Sequence, residues 1–310
     1  MSLAAMLREG VMRVEREARG SRLVRDLIRW APKRTFSTAL GAIARIPVPR
    51  AARSGVYGAY ARRFGIDLVE MALPLEDYAT LDDFFTRTLR DGARPVDPDP
   101  DVAVSPVDCE VLERGDLEGG RMLQVKGCEF TVGALLADTA RAVRYIGGVY
   151  ATLYLSPRDY HRIHAPVAGR VIGCSHVPGE LFPVNARAVR DVEGLYACNE
   201  RLVTFLDGSL GEVAVVKVAA CGVGCVTATY DPSVHTHAQR PTGSREYDPA
   251  PEVRKGDEIG VFHLGSTVIV LFQPGRVVLE SLQRGQRLLC GSPLARRRTS
   301  RATRRRGNGA

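Results

Sequence analysis

Four residues of this chain are of types that could carry out covalent chemistry together: Ser266, His164, His161 and Asp108. Ser266 lies in Gly265-Ser266-Thr267, inside the apolar run from Ile259 to Phe272. β-branched residues after the serine read as strand, and the glycine marks a break between two strands. The carbonyl before Ser266 belongs to a residue with no side chain to block approach, so the hydroxyl could attack its own backbone. The same tripeptide also makes an ordinary strand-to-strand turn. His161 and His164 stand three apart in Ser156-Pro-Arg-Asp-Tyr-His-Arg-Ile-His-Ala-Pro-Val-Ala-Gly169, and Asp108 ends Ser105-Pro-Val-Asp108. An imidazole can switch charge near neutral pH. Histidines three apart share a face in a helix or tight turn, and face opposite sides of an extended strand. As a metal pair they lack a carboxylate or third histidine at a matching spacing. Asp108 could equally cap a turn after Pro106, and Tyr160 reads as packing.

The segments that must position these residues are read from periodicity. Residues 3–31 read as helical, with Leu23, Leu27 and Trp30 at helical spacing among arginines, ended by Pro32. A short amphipathic stretch follows, with Phe36, Leu40 and Ile43 on one face and Lys33, Arg34 and Arg45 at its ends. Further helices are expected over Arg53 to Phe64, over Leu81 to Leu89 with Thr80 or Asp82 as cap, and over Thr131 to Ala140. From Val102 to Leu289 short β-rich runs broken by Gly, Pro and Asp dominate, and Ser233 to Pro251 reads as a loop. The expected fold class is α+β: a predominantly β catalytic domain over 64–294, a helical basic region over 1–63, and an Arg-rich disordered tail over 295–310.

Charge is unevenly spread. Residues 1–63 hold fourteen Lys/Arg against four Asp/Glu, and the last fifteen residues hold seven arginines and no acid. With +8 over the whole chain, the middle is acidic. Basic ends suit an anionic membrane or a nucleic acid, but the basic segments lack the interleaved aromatics of a single-strand platform. The seven cysteines are scattered without a CxxC pair and read as buried thiols in a reducing compartment. The longest uncharged stretch, Ile259 to Gly275, falls short of the ~20 apolar residues a membrane span needs.

In this order and at these separations, the serine, histidine and aspartate elements closely resemble those of the phosphatidylserine decarboxylases, pyruvoyl-dependent enzymes that make phosphatidylethanolamine. The resemblance also covers Phe84-Phe85-Thr-Arg-Thr-Leu-Arg90, Arg94-Pro95, Val125-Lys-Gly127, Pro178-Gly-Glu-Leu-Phe182, Asn199-Glu-Arg201 and Leu264-Gly-Ser-Thr267. It implies self-cleavage between Gly265 and Ser266 into chains 1–265 and 266–310, with His164 as base and Asp108 as its orienting acid. The resemblance further implies that Ser266 becomes a pyruvoyl group, which forms a Schiff base with the substrate amine, and that no metal is used. His161 is the candidate for the acid step of decarboxylation. The expected partners are phosphatidylserine in an anionic membrane and the chain's own two fragments, joined as a heterodimer and doubled, with no nucleic acid. The expected location is peripheral, on the cytoplasmic face of the cell membrane. The chain departs from the family pattern at Cys109, where glycine usually follows the aspartate. A positive φ there would strain the cysteine by roughly 1–2 kcal/mol. Two alternatives stand beside this reading: a pyruvoyl decarboxylase of a soluble amino acid, close to the family's chemistry, and a non-enzymatic basic scaffold for lipid or nucleic acid, which the basic ends would suit.

Overall fold

A computed structural model describes residues 33–125, 128–184, 188–221, 225–236, 243–263 and 266–299; side chains are described except at 33–36, 125 and 266. The expected helix over 3–31 and most of the arginine tail lie outside the described residues. Strand predominates over helix, 37% against 22%, as the α+β reading anticipated.

The strands that build the site are β1 (Cys109–Asp116), β2 (Val149–Leu155), β3 (Arg162–His164), β4 (Gly169–Val177), β5 (Arg201–Gly208), β6 (Gly211–Val218), β7 (Cys225–Thr227), β8 (Gly243–Glu246), β9 (Glu258–His263), β10 (Ser266–Phe272) and β11 (Arg287–Leu288). A nine-stranded sheet runs in the order β8-β4-β5-β6-β10-β2-β1-β11, with Glu252–Val253 added beside β4, and the pairings are antiparallel. A smaller sheet, β7-β9-β3, carries the histidine segment beside the strand that leads to the serine.

The central strands β6 and β10 read as continuous apolar runs because both of their faces are covered. Val268 and Val270 pack with Val213, Val215, Leu153 and Phe262 on one face. Ile269 and Leu271 pack with Ala214, Val216, Phe205 and Tyr145 on the other. Val268 and Val270 thus alternate with Thr267 and Ile269, so successive positions of β10 serve opposite faces of the sheet.

A third apolar cluster joins Tyr57 and Ala61 of helix α2 (Arg50–Phe64), which follows α1 (Lys33–Ala44), to Ile66, Met71, Tyr78 and Phe84. Tyr57 stacks on Phe84 with ring centroids 5.1 Å apart. Helix α3 covers only Leu81–Phe85, shorter than the stretch to Leu89 expected from periodicity. Its start is the anticipated cap, a reciprocal Thr80–Asp83 capping box. Its end comes where the Thr86 hydroxyl donates to the Asp82 carbonyl and Leu89 bridges to Met71, so the chain turns extended. Two further expectations shift. The helix over Thr131 to Ala140 divides into Val132–Leu136 and Thr139–Ala142, because Ala137 takes φ 52°. Within the expected loop over Ser233 to Pro251, β8 pairs with β4 at the sheet edge. At the C-terminus, Pro293–Arg297 is a strand between Val102–Val104 and Val277–Leu279, so regular structure continues past residue 295.

Candidate active site

Strand β10 begins at Ser266, whose backbone stands opposite Leu155 at the end of β2. Just upstream, Phe262 of β9 donates its N–H to the His161 carbonyl at 3.0 Å. The chain therefore leaves β2 opposite Ser266 and returns, after a five-residue connection, opposite Phe262. That connection, residues 156–160, is pinned by Asp159. The Asp159 carboxylate accepts from the Ser156 N–H and hydroxyl at 2.7 Å each and from Arg287 Nη2 at 2.7 Å. Hence the histidine motif follows directly on the residue paired with Ser266 and is itself bonded to β9. Gly265 and the Ser266 side chain lie outside the described atoms.

His161 is fully buried, with its ring 4.0 Å from that of Phe85. Its Nδ1–H donates to the Asp159 carbonyl at 2.8 Å, which fixes the tautomer and leaves Nε2 as a buried lone pair with no hydrogen-bond partner. Burial, reinforced by the Arg87 guanidinium, pushes its pKa down to about 3. The ring is therefore neutral at pH 7.

His164 is held at both nitrogens. Nδ1–H donates to the Gly256 carbonyl at 2.8 Å, and Nε2 accepts from the Tyr160 hydroxyl at 3.1 Å. Burial lowers its pKa, opposed by the Gly256 carbonyl and by the charges of Glu258 and Asp108. A neutral imidazole with its Nε2 lone pair turned toward a hydroxyl is in the protonation state a general base needs. The two histidines do not converge. His164 ends a strand and His161 precedes it at odd separation, so the strand period sends them to different surroundings.

Asp108 lies beside the His164 segment with its carboxylate bound to other groups. The tautomer of His164 is fixed by a backbone carbonyl, and the Asp108 carboxylate is gripped by Arg94, through Nε at 2.7 Å and Nη2 at 2.6 Å, and by the Cys290 N–H at 2.8 Å. Arg94 also binds both oxygens of Glu70, at 3.0 and 2.8 Å. A bidentate arginine is the stronger partner for a carboxylate, and it wins here. Asp108 is nonetheless close: the His164 N–H donates to the Pro106 carbonyl at 2.8 Å, so the two motifs run side by side, and its charge is felt at the His164 ring. Cys109 carries no backbone strain. Among the described residues Ala137 is the non-glycine with positive φ, and Cys109 enters β1 as a fully buried strand residue.

Several neighbours were not legible as site residues. Tyr160, read as packing, donates its hydroxyl to Nε2 of His164. Arg94 and Arg87 stood in quoted motifs without a role. His263, two residues before Gly265, pairs through Nδ1 with both carboxylate oxygens of Asp82 in α3, at 3.1 and 2.9 Å. A long-range pair such as Asp82–His263 leaves no periodic trace in sequence. Among the described residues no group of His, Cys, Asp or Glu has the arrangement of a metal site, and no helix is long and apolar enough to cross a membrane.

The family model described as phosphatidylserine decarboxylase matches residues 81–296, which span α3 to the last strand. Proteins named phosphatidylserine decarboxylase proenzyme are similar along most of the chain. The one from Anaeromyxobacter sp. (strain K) is 48% identical over 277 residues, 88% of this chain and 98% of that relative. The one from Myxococcus xanthus is 46% identical over 258 residues, 83% and 92% of the two chains, and the one from Brevibacillus brevis 39% over 279, 89% and 98%. With a serine at the start of a central strand, a histidine segment bonded to the strand that precedes it and this extent of similarity, the chain belongs to the phosphatidylserine decarboxylase family.

Proposed function

We propose that this chain is a proenzyme that cuts itself between Gly265 and Ser266 and then decarboxylates phosphatidylserine to phosphatidylethanolamine. The observation that supports it most is the pairing of residues 155 and 161 with residues 266 and 262, which ties the histidine motif to both sides of one peptide step.

In processing, His164 Nε2 takes the proton of the Ser266 hydroxyl, displacing or relaying through the Tyr160 hydroxyl. The Gly256 carbonyl keeps Nδ1 protonated, so the accepting lone pair is always on Nε2. Asp108 stabilises the resulting imidazolium through space while Arg94 and the Cys290 N–H hold it in place. The pyruvoyl group implied by the family fits this site: a bare, buried Nε2 on His161 is an acceptor awaiting a proton, and Ser266 begins a rigid strand. Bound to the substrate amine, that group would supply an electron sink for the pair left by carbon dioxide. His161 accepts at Nε2 a proton shed by the substrate ammonium and returns it to the α-carbon, with Asp159 holding the ring throughout.

The same reading places the protein at a lipid surface. Ile43, Ile46, Val56, Val69 and Leu73 are exposed, in a stretch of sequence that also holds Arg45, Arg50 and Arg53. Apolar side chains edged by arginine suit an interfacial site on an anionic bilayer. Intact-mass analysis tests the core of the proposal. The expected result is two chains, of 265 and 45 residues, the smaller blocked by a ketoacyl group; a single uncut species with ordinary serine would refute it. A soluble amino-acid substrate would instead be turned over without vesicles.

A further inference from the structure

Among the described residues Arg87 is a buried charge without a contacting counter-ion. Its residue is 4% exposed, and Nη2 donates to the carbonyls of Arg158 and Asp159 at 2.9 and 3.2 Å. Nε and Nη1 are buried and have no hydrogen-bond partner. The two nearest acids that sense it through space are committed elsewhere: Asp108 to Arg94 and the Cys290 N–H, Asp159 to Arg287 and Ser156. The guanidinium lies over the Phe84 ring at 5.7 Å, which offsets part of its charge but satisfies neither N–H. Leaving two donors of a buried cation unpaired is costly, and an oxyanion with the geometry of a guanidinium fork is the ligand that removes the cost.

The position of Arg87 says which molecule brings that oxyanion. Arg87 Nη2 and His161 Nδ1 donate to the same oxygen, the Asp159 carbonyl. The bare N–H groups of Arg87 therefore belong to the same buried neighbourhood as the bare Nε2 of His161. We propose that Arg87 is the anion-binding residue of the substrate site and takes the phosphodiester of the lipid headgroup. This rests on the decarboxylase reading above. Of the headgroup's two anions, the carboxylate is lost in the reaction, and an ion pair to it would stabilise the ground state and slow the chemistry. The phosphodiester keeps its charge from substrate to product, so Arg87 lowers KM and leaves kcat nearly untouched.

The full-length wild-type protein and its Arg87→Gln variant, each assayed on phosphatidylserine vesicles with and without phosphatidylethanolamine, test this. Self-cleavage is first read on a gel, and wild-type protein that stays uncut would sink the decarboxylase reading itself. In cleaved Arg87→Gln, KM for phosphatidylserine and the inhibition constant for phosphatidylethanolamine should both rise roughly 10- to 100-fold, with kcat within a few-fold, in line with loss of a charged hydrogen-bond pair. A raised KM with an unchanged phosphatidylethanolamine constant would assign Arg87 to the carboxylate and overturn the phosphodiester proposal. Unchanged KM, or a loss confined to kcat, would make Arg87 a clamp for the 158–159 carbonyls and overturn it too. Should Arg87→Gln fail to fold or cleave, Arg87→Lys carries the same test. It retains a cation for those carbonyls but not the planar fork, so both constants should still rise about tenfold.

Discussion

His161 and His164 lie three residues apart and occupy opposite kinds of site. His161 sits dry between Phe85 and the Asp159 carbonyl, with one nitrogen bare. His164 is partly accessible and has both nitrogens engaged, one by the Gly256 carbonyl and one by Tyr160. The contrast teaches that two identical side chains can be prepared for different proton transfers by neighbours alone. In the proposed function the bare lone pair takes a proton carried in by substrate, and the capped one takes a proton already in the chain. Each prediction below breaks or sharpens that division.

The largest effect is expected from Ser266→Ala, which removes the nucleophile and should leave one uncut chain by mass spectrometry. Next, the histidines should separate the two steps. His164→Ala should slow appearance of the 45-residue fragment by roughly 10²–10⁴-fold, whereas His161→Gln should cleave and then lose decarboxylation by a similar factor. Equal loss of cleavage in both variants would erase the contrast.

The pH dependence of stability sharpens it further. The folded pKa of His161 is depressed to about 3 from the ordinary 6.5, so between those values the unfolded chain binds a proton that the folded chain refuses. Its contribution is present above pH 6.5 and lost as pH falls toward 3, amounting to a few kcal/mol at most. Urea melts should weaken over that window, and His161→Phe, in a protein carrying Ser266→Ala to prevent cleavage, should flatten the slope.

A smaller effect is expected from Cys109→Gly. Because Cys109 is an unstrained, fully buried strand residue, glycine should not speed cleavage and should cost about 1–2 kcal/mol in thermal or urea melts. Tyr160→Phe should act least. Removing the O–H donated to Nε2 takes away a bond that favours neutral His164, so its pKa should rise. The acid limb of the cleavage profile should then move to higher pH, with a rate change within about tenfold.

Local pattern was enough to identify the serine strand, the α+β class and the Thr80 start of α3. Apolar runs, β-branched residues and a capping box are properties of neighbours in sequence. The end of α3 falls short of Leu89 because it is set by the Thr86 hydroxyl and by the bridge from Leu89 to Met71, neither of which alters the helical spacing of Leu81 to Leu89.

The amino-acid order by itself determined which groups exist for chemistry, a hydroxyl after a glycine and two imidazoles three apart, and where the chain would run as strand. Only the tertiary structure decided their protonation and partners. Gly256, rather than Asp108, fixes His164; Arg94 claims Asp108; and Arg87 is left short of an anion. The reason is physical: burial and hydrogen-bond geometry depend on residues tens to hundreds of positions away, and those terms, not residue type, set where a proton resides.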